Sequence, residues 1–239
     1  MAIRKIQTER LEDKSKMLAL EQQSLNASMN RHFIFNALNS IQYYINRQDK
    51  LAANMYLSRF AKLIRKNLDS SQSELTSLGE ELERLELYLE LEHMRFKDKF
   101  DYKINIDPGL DADVIKVPAM ILQPYVENSI WHGILPMDRE GRIKIDVTTS
   151  NGAYVLAIED NGIGIDASIK NKSNNGSAYM SKGMRINQGR IELLRKLTER
   201  NIEVRGPYQL ENDDGISKGT RVEIVMDRDD ISGPDPSDI

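Results

Sequence analysis

Between residues 1 and 30 the apolar positions are sparse and regular. Leu11, Leu18 and Leu25 recur every seven residues among Glu, Lys, Gln and Arg, with no Gly or Pro. This spacing predicts an exposed helix with a narrow apolar seam, either a short dimerising coiled coil or a solvated helix trimmed from something longer. Residues 32–45 are denser: Phe33, Ile34, Phe35, Leu38, Ile41, Tyr44 and Ile45 cover more than one helical face, as in a bundle. After a break at 46–50, Leu57, Phe60, Ile64 and Leu68 keep helical spacing through a second segment, 51–68. Thr76-Ser77, with Glu80 and Glu81 behind it, opens a third helix running through Leu82, Leu85, Tyr88 and Leu89 to about residue 96.

At residue 100 the pattern changes. Residues 100–106 alternate as a strand and stop at Asp107-Pro108-Gly109. A helix is predicted over 120–133, a hairpin over 142–149 and 153–159 around Ser150-Asn151-Gly152, a helix over 184–200, and strands over 202–205 and 220–226. Residues 171–177, rich in Asn, Ser and Gly, read as a mobile loop, and the acidic tail 229–239 as disordered. The expected fold class is α+β: a helical hairpin module over 1–98, then an α/β sandwich over 99–228 with one sheet covered by helices on one face.

Composition narrows the chemistry. The 239 residues contain no cysteine, which removes disulfides, iron–sulfur clusters and thiol catalysis. The net charge of −4 and the absence of a basic block argue against a nucleic-acid partner. No apolar run approaches the roughly 18–20 residues of a membrane span, and the charged first ten residues lack the core of a signal peptide. The chain therefore reads as soluble, or as the intracellular part of a longer protein.

Three constellations carry candidate chemistry. Asp160-Asn161-Gly162-Ile163-Gly164 follows a predicted strand. Glycines there let backbone approach a ligand closely, and a carboxylate at a strand end can accept from an exocyclic amine such as that of adenine. A surface turn with a solvated aspartate would give the same string. In Gln123-Pro124-Tyr125-Val126-Glu127-Asn128-Ser129-Ile130-Trp131-His132-Gly133, Asn128 and His132 lie four apart on a predicted helix. The Asn128 amide oxygen suits Mg²⁺, although a surface amide and a core histidine would look the same. His32 sits among aromatic residues in Asn30-Arg31-His32-Phe33-Ile34-Phe35-Asn36-Ala37-Leu38-Asn39.

The last string resembles the phospho-acceptor segment of LytS/YehU-type sensor histidine kinases, Asn-Pro-His-Phe-(Leu/Ile)-Phe-Asn-x-Leu-Asn. The Asn128 helix resembles that family's asparagine box, and Asp160 to Gly164 its first glycine box. Ser181-Lys182-Gly183-Met184 and Arg190-Ile191-Glu192-Leu193-Leu194 resemble the second glycine region, and Gly219-Thr220 the lead into the last strand. The matches run from about residue 25 to 226, in the family's order.

The resemblance implies a dimerisation module bearing His32 as phospho-acceptor, followed by a Bergerat-type (GHKL) ATPase domain. It implies ATP bound with Mg²⁺, Asp160 on the adenine amino group, Asn128 on the metal, and Gly162 and Gly164 in the pocket floor. His132, Gly183, Met184 and Thr220 would complete the nucleotide site, 165–181 would be the lid, and Glu127 is a candidate to polarise the nucleophile. The implied partners are a second copy of the chain, a response-regulator receiver domain, and an upstream sensor missing from this sequence that would tether it to the inner membrane of a bacterium, the chain being its cytoplasmic portion. Two departures stand out: Arg31 replaces the usual proline before the acceptor, and Gly183 is the one dependable glycine of the second region. These support one rival reading, a pseudokinase scaffold; a third reading, another GHKL-type ATPase or a serine kinase, leaves the acceptor-like segment at His32 unexplained.

Overall fold

The computed structural model describes residues 31–70, 75–97, 99–165, 188–189, 191–192, 195, 201–211 and 217–228. The seam of 1–30, the lid beyond Ile165, Gly183, Met184 and the tail 229–239 lie outside the described residues. Two helices open the structure, α1 (Arg31–Asn46) and α2 (Lys50–Ser70). Gln48 turns the chain between them in the left-handed region (φ 58°), and Asp49 caps α2 by accepting the Ala52 N–H at 2.9 Å. The seam between the helices buries Ala37, Tyr56 and Leu63, and Phe33 meets Phe60 with ring centroids 5.9 Å apart.

A three-residue strand, β1 (Leu75–Ser77), runs straight into α3 (Leu78–Arg95). The start of α3 is a reciprocal capping box: Ser77 Oγ accepts the Glu80 N–H at 3.1 Å, and Glu80 accepts the Ser77 N–H at 3.3 Å. Such a cap contributes about 1 kcal/mol. The helix is buried on nearly every side, Leu78, Leu82, Leu85 and Leu89 together with Glu81, Arg84 and Glu92, because it lies between the hairpin and the rest of the molecule. Toward the hairpin, Tyr88 packs on Phe33 at 5.7 Å, Tyr44 Oη donates to the Met94 carbonyl at 2.7 Å, and Arg59 pairs with Glu90 at 2.5 Å.

The sheet orders its strands β2-β4-β5-β7-β6, with β2 (Phe100–Ile106), β4 (Gly141–Ser150), β5 (Ala153–Asp160), β6 (Ile202–Glu211) and β7 (Ser217–Asp227). Alternation decides which face each residue takes: Ile143, Ile145 and Val147 are buried, whereas Arg142 and Lys144 face water. The outer face is laced with ion pairs, Lys144–Asp146 at 2.7 Å and Arg221 with Glu159 and Glu223 at 3.2 and 2.9 Å. Exposed pairs of this kind add little stability, and this is a solvated face.

Two features depart from the sequence reading. The sheet is mixed, because β2 and β4 run parallel. The chain between them must therefore cross over, and it does so through β3 (Lys116–Pro118), which pairs with β1, and helix α4 (Gln123–Asn128). The helix expected over 120–133 is also shorter and of two kinds. After Asn128 it widens into a π-helical turn, Ser129–Ile134, closed by the Leu135 N–H on the Ile130 carbonyl at 2.9 Å.

Candidate functional site

Asp160 is the last residue of β5 and lies opposite Thr220 on β7. Its side chain is 3% exposed, so each carboxylate oxygen must find protein donors. Oδ2 accepts from Ser129 Oγ at 2.8 Å and from the Thr220 hydroxyl, and Oδ1 accepts the Gly162 N–H at 2.8 Å. The Thr220 backbone N–H is directed at the carboxylate as well, which is thus held firmly in one orientation. Burial pushes the Asp160 carboxyl up, while the donors from Thr220, Ser129 and Gly162 work to hold it ionised.

The walls around this carboxylate are backbone. A Cβ on Gly162 would stand 2.5 Å from the Gly133 Cα and 2.6 Å from Asp160 Oδ1, and the Ile163 N–H closes onto the Gly133 carbonyl at 3.0 Å. Gly219, at φ +132°, passes so near that a Cβ would lie 1.7 Å from the Asp160 carbonyl. Asn161 faces away and is spent on structure: its Oδ1 accepts the Arg142 N–H at 2.6 Å, and its carbonyl accepts from Arg139 at 2.6 Å.

The π-helical turn sets the other wall. It directs Ser129 and Gly133 at Asp160, which leaves Asn128 and His132, each one residue earlier, on the adjoining face. Both are half-buried. Asn128 Nδ2 is enclosed without a hydrogen-bond partner, an orphan buried amide at the edge of a glycine-walled cradle. Glu127 accepts from Gln123 Nε2 at 2.9 Å, and desolvation pushes its carboxyl up to about 7.

Behind this wall lies α3. Glu81, fully buried, accepts the backbone N–H groups of Met120 at 2.9 Å and Leu122 at 3.1 Å, and pairs with the buried Arg84. Met120 itself has φ 61°. A single carboxylate thus ties down the strained entry to α4, and with it the position of Asn128. Arg95 stacks over Phe96 and Trp131, 4.5 and 5.1 Å from the ring centroids. Glu92 beneath it is 1% exposed, and burial raises its carboxyl to about 7.

Of the residues singled out by sequence, the structure brings Asp160, Gly162, Thr220 and Asn128 to one place, with Gly164 buried at φ +80° just beyond. His32 lies in the first turn of α1, next to Phe33, which packs on Tyr88 of α3; its side chain is outside the described part. Gly183 and Met184 are outside it as well. Sequence reasoning missed Ser129, Glu81 and the role of Gly133. Ser129 and Gly133 were legible only as neighbours of Asn128 in the same string, and Glu81 read as a helix-start acid.

Comparison with known proteins agrees in kind. Residues 20–100 match the family described as histidine kinase. Over 163 residues, 67% of the chain, there is 37% identity to the sensor histidine kinase BtsS of Escherichia coli, 28% of which is covered. Over 215 residues, 85% of the chain, there is 32% identity to the sensor protein LytS of Oceanobacillus iheyensis, 34% of which is covered. The chain thus spans about a third of the length of the curated relatives it matches. A solved histidine kinase domain of a blue-light activated kinase from Erythrobacter litoralis aligns over 89% of this chain and 95% of its own, at 15% identity and a TM-score of 0.42.

Proposed function

We propose that this chain, a member of the LytS-type sensor histidine kinases, is an autokinase core that binds Mg-ATP at Asp160 and Asn128 and transfers phosphate to His32. The observation that carries the reading is the Asp160 carboxylate: buried, held in place by donors from Ser129, Gly162 and Thr220, and walled by glycine backbone. An exocyclic amino group on a flat base suits a carboxylate fixed in this way. Asn128, half-buried at the rim, is the residue that would hold Mg²⁺, a hard ion suited to its amide oxygen. Gly183 and Met184 belong to the same site by motif, and His132 by its place on the Asn128 face.

Mg-ATP supplies the phosphoryl group and the neutralising charge. The protein's residues do the rest by placement. A histidine imidazole, with an ordinary pKa of about 6.5, offers a nitrogen lone pair at neutral pH without a strong base. Glu127, with a carboxyl raised to about 7, is the group we assign to polarising the nucleophile or to taking up a proton. Phe33 on Tyr88 anchors the start of α1 against α3, so the acceptor helix leans on the element that Glu81 ties to the asparagine-bearing helix.

The same reading gives the module its partners. On α1, Ile34, Leu38, Ile41 and Ile45 form a stripe at heptad spacing, and on α2 Leu57, Ala61, Ile64 and Leu68 form another. Leu38, Ile45, Leu57 and Leu68 are 52, 60, 50 and 49% exposed, a face that a second copy of the hairpin would cover. A receiver-domain aspartate is the proposed phosphate acceptor downstream. No helix among the described residues is long and apolar enough to cross a membrane, and we place the chain on the cytoplasmic side of a longer, membrane-tethered protein.

The test is autophosphorylation with γ-labelled ATP and Mg²⁺. Label should appear in the wild-type chain, be acid-labile and alkali-stable, and vanish in both His32→Gln and Asp160→Asn. ATP binding without label would favour a pseudokinase scaffold, and acid-stable label would indicate serine phosphorylation.

A further inference from the structure

A second cleft, of about 540 Å³, opens between α1 and the C-terminal end of α3, away from Asp160. One side is the α1 face carrying Asn36, Ser40, Tyr43 and Arg47; the other is Arg95 and Lys97. Three cations, Arg47, Arg95 and Lys97, converge on it against one carboxylate, Asp49. Arg47 donates to Tyr43 Oη within the cleft, and the two acceptors beside it carry hydrogen bonds of their own. Asp49 caps α2 through the Ala52 N–H, and the Met94 carbonyl is taken by Tyr44 Oη. Arg95 Nη1 is enclosed with no hydrogen-bond partner, its nearest counter-charge being Glu92 Oε2 at 3.5 Å. That acid is itself buried, and its carboxyl is raised to about 7, so near neutral pH it is only partly ionised.

We propose that this cleft binds a small phosphate-bearing ligand, with Arg47, Arg95 and Lys97 holding the phosphate and Tyr43 flanking the organic part. Three cations match a dianion better than a monocarboxylate, and guanidinium groups present the paired N–H donors that phosphate oxygens take. The volume far exceeds that of a free phosphate and lies within the range of small-molecule sites, about 300–1,000 Å³, so a phosphomonoester with a ring or chain fits better than the bare ion. Arg95 also stacks on Trp131 of the π-helical turn, three residues beyond Asn128. A phosphate drawn onto Arg95 is therefore felt at the helix that walls the Asp160 pocket. The binding itself does not depend on the kinase reading; its consequence for nucleotide does.

Trp131 is the chain's single tryptophan, so its emission reports on Arg95. The experiment titrates the full 239-residue chain, free of nucleotide, with phenyl phosphate, with inorganic phosphate and with sodium chloride at matched ionic strength. Expected is a saturable change in emission with phenyl phosphate at lower concentration than with inorganic phosphate, and none with chloride. In Arg47→Ala/Lys97→Ala, two exposed positions, the midpoint should rise at least tenfold while helical circular dichroism and ATP binding stay as in wild type. In Asp160→Asn the response should persist. The proposal falls if the change merely follows ionic strength, if it survives unaltered in the double variant, or if it disappears in Asp160→Asn, since the probe would then be entering the nucleotide pocket. If inorganic phosphate binds as well as phenyl phosphate, the organic part has no place in the cleft, and the phosphomonoester assignment is overturned.

Discussion

At the scale of single residues, the candidate site depends on how closely backbone approaches one carboxylate. Gly162→Ala adds a methyl 2.5 Å from the Gly133 Cα and 2.6 Å from Asp160 Oδ1, where neither backbone nor a buried carboxylate can yield without moving the wall. Overpacking of this sort costs about 1–3 kcal/mol. The expected outcome is a loss of ATP affinity of at least tenfold by calorimetry, with the hairpin helices retained. Ser129→Ala is gentler. It removes one of two hydroxyl donors to Oδ2, pushes the Asp160 carboxyl further up, and should weaken ATP by roughly the worth of one charge-assisted hydrogen bond, about 1.5–3 kcal/mol. Asp160, Gly162, Gly164 and Thr220 were legible in the sequence because a carboxylate beside two glycines, and a Gly-Thr pair leading a strand, are unusual strings. Ser129 was not, since a serine gains meaning only once the π-helical turn sets which face it occupies.

At the scale of elements, α3 governs the site without touching the ligand. Its limits were legible from the capping pair and the leucine spacing. Its burial was not, because nothing local marks Glu81, Arg84 and Glu92 as enclosed; that follows only from the hairpin and the sheet closing on both sides. The short strands β1 and β3, three residues each, are too brief to leave any periodic trace. Glu81→Ala removes the carboxylate that pairs with the buried Arg84 and frees the Met120 and Leu122 N–H groups. Breaking a buried pair in this way costs about 3–5 kcal/mol, which should appear as a large drop in urea midpoint. Glu92 gives α3 a pH dependence of definite sign. Its carboxyl is raised to about 7 by burial, so the folded state holds a proton that the unfolded chain releases near pH 4.5. Stability from this group is therefore full below about pH 4.5 and is lost as pH rises through 7. Between pH 5.5 and 7.5 this one group should cost the wild type about 2 kcal/mol, measured by denaturant titration. Glu92→Gln should flatten much of that slope; an unchanged slope would assign it to Glu127, which titrates in the same range.

At the scale of the whole molecule, the unresolved balance is on the hairpin, where apolar side chains face water. The inner seam of α1 and α2 is satisfied by Ala37, Tyr56 and Leu63, and α3 covers a second side through Phe33 and Tyr44. Leu38, Ile45, Leu57 and Leu68 point to a third side and stay about half exposed. Sequence spacing indicated bundle helices but not which stripe would be left over, because that follows from where α3 docks. The hairpin runs antiparallel, so Ile34 lies toward the same end as Leu68, and Ile45 toward the same end as Leu57. The two stripes thus combine into one continuous face. A two-fold related copy would bury it as a four-helix core, gaining about 1.5–3 kcal/mol for each leucine-sized side chain fully removed from water. Leu38→Glu together with Leu57→Glu places four charges in that core, two from each copy. The expected result by light scattering is a mass near the 27.4 kDa of one chain for the variant and twice that for the wild type. ATP affinity should be retained, since Asp160 and Asn128 lie across α3 from the altered face. A variant that stays dimeric would move the dimer contact off the hairpin and onto the leucine seam of residues 1–30. A wild type that is monomeric at micromolar concentration would overturn the assignment of this face to a second copy of the chain.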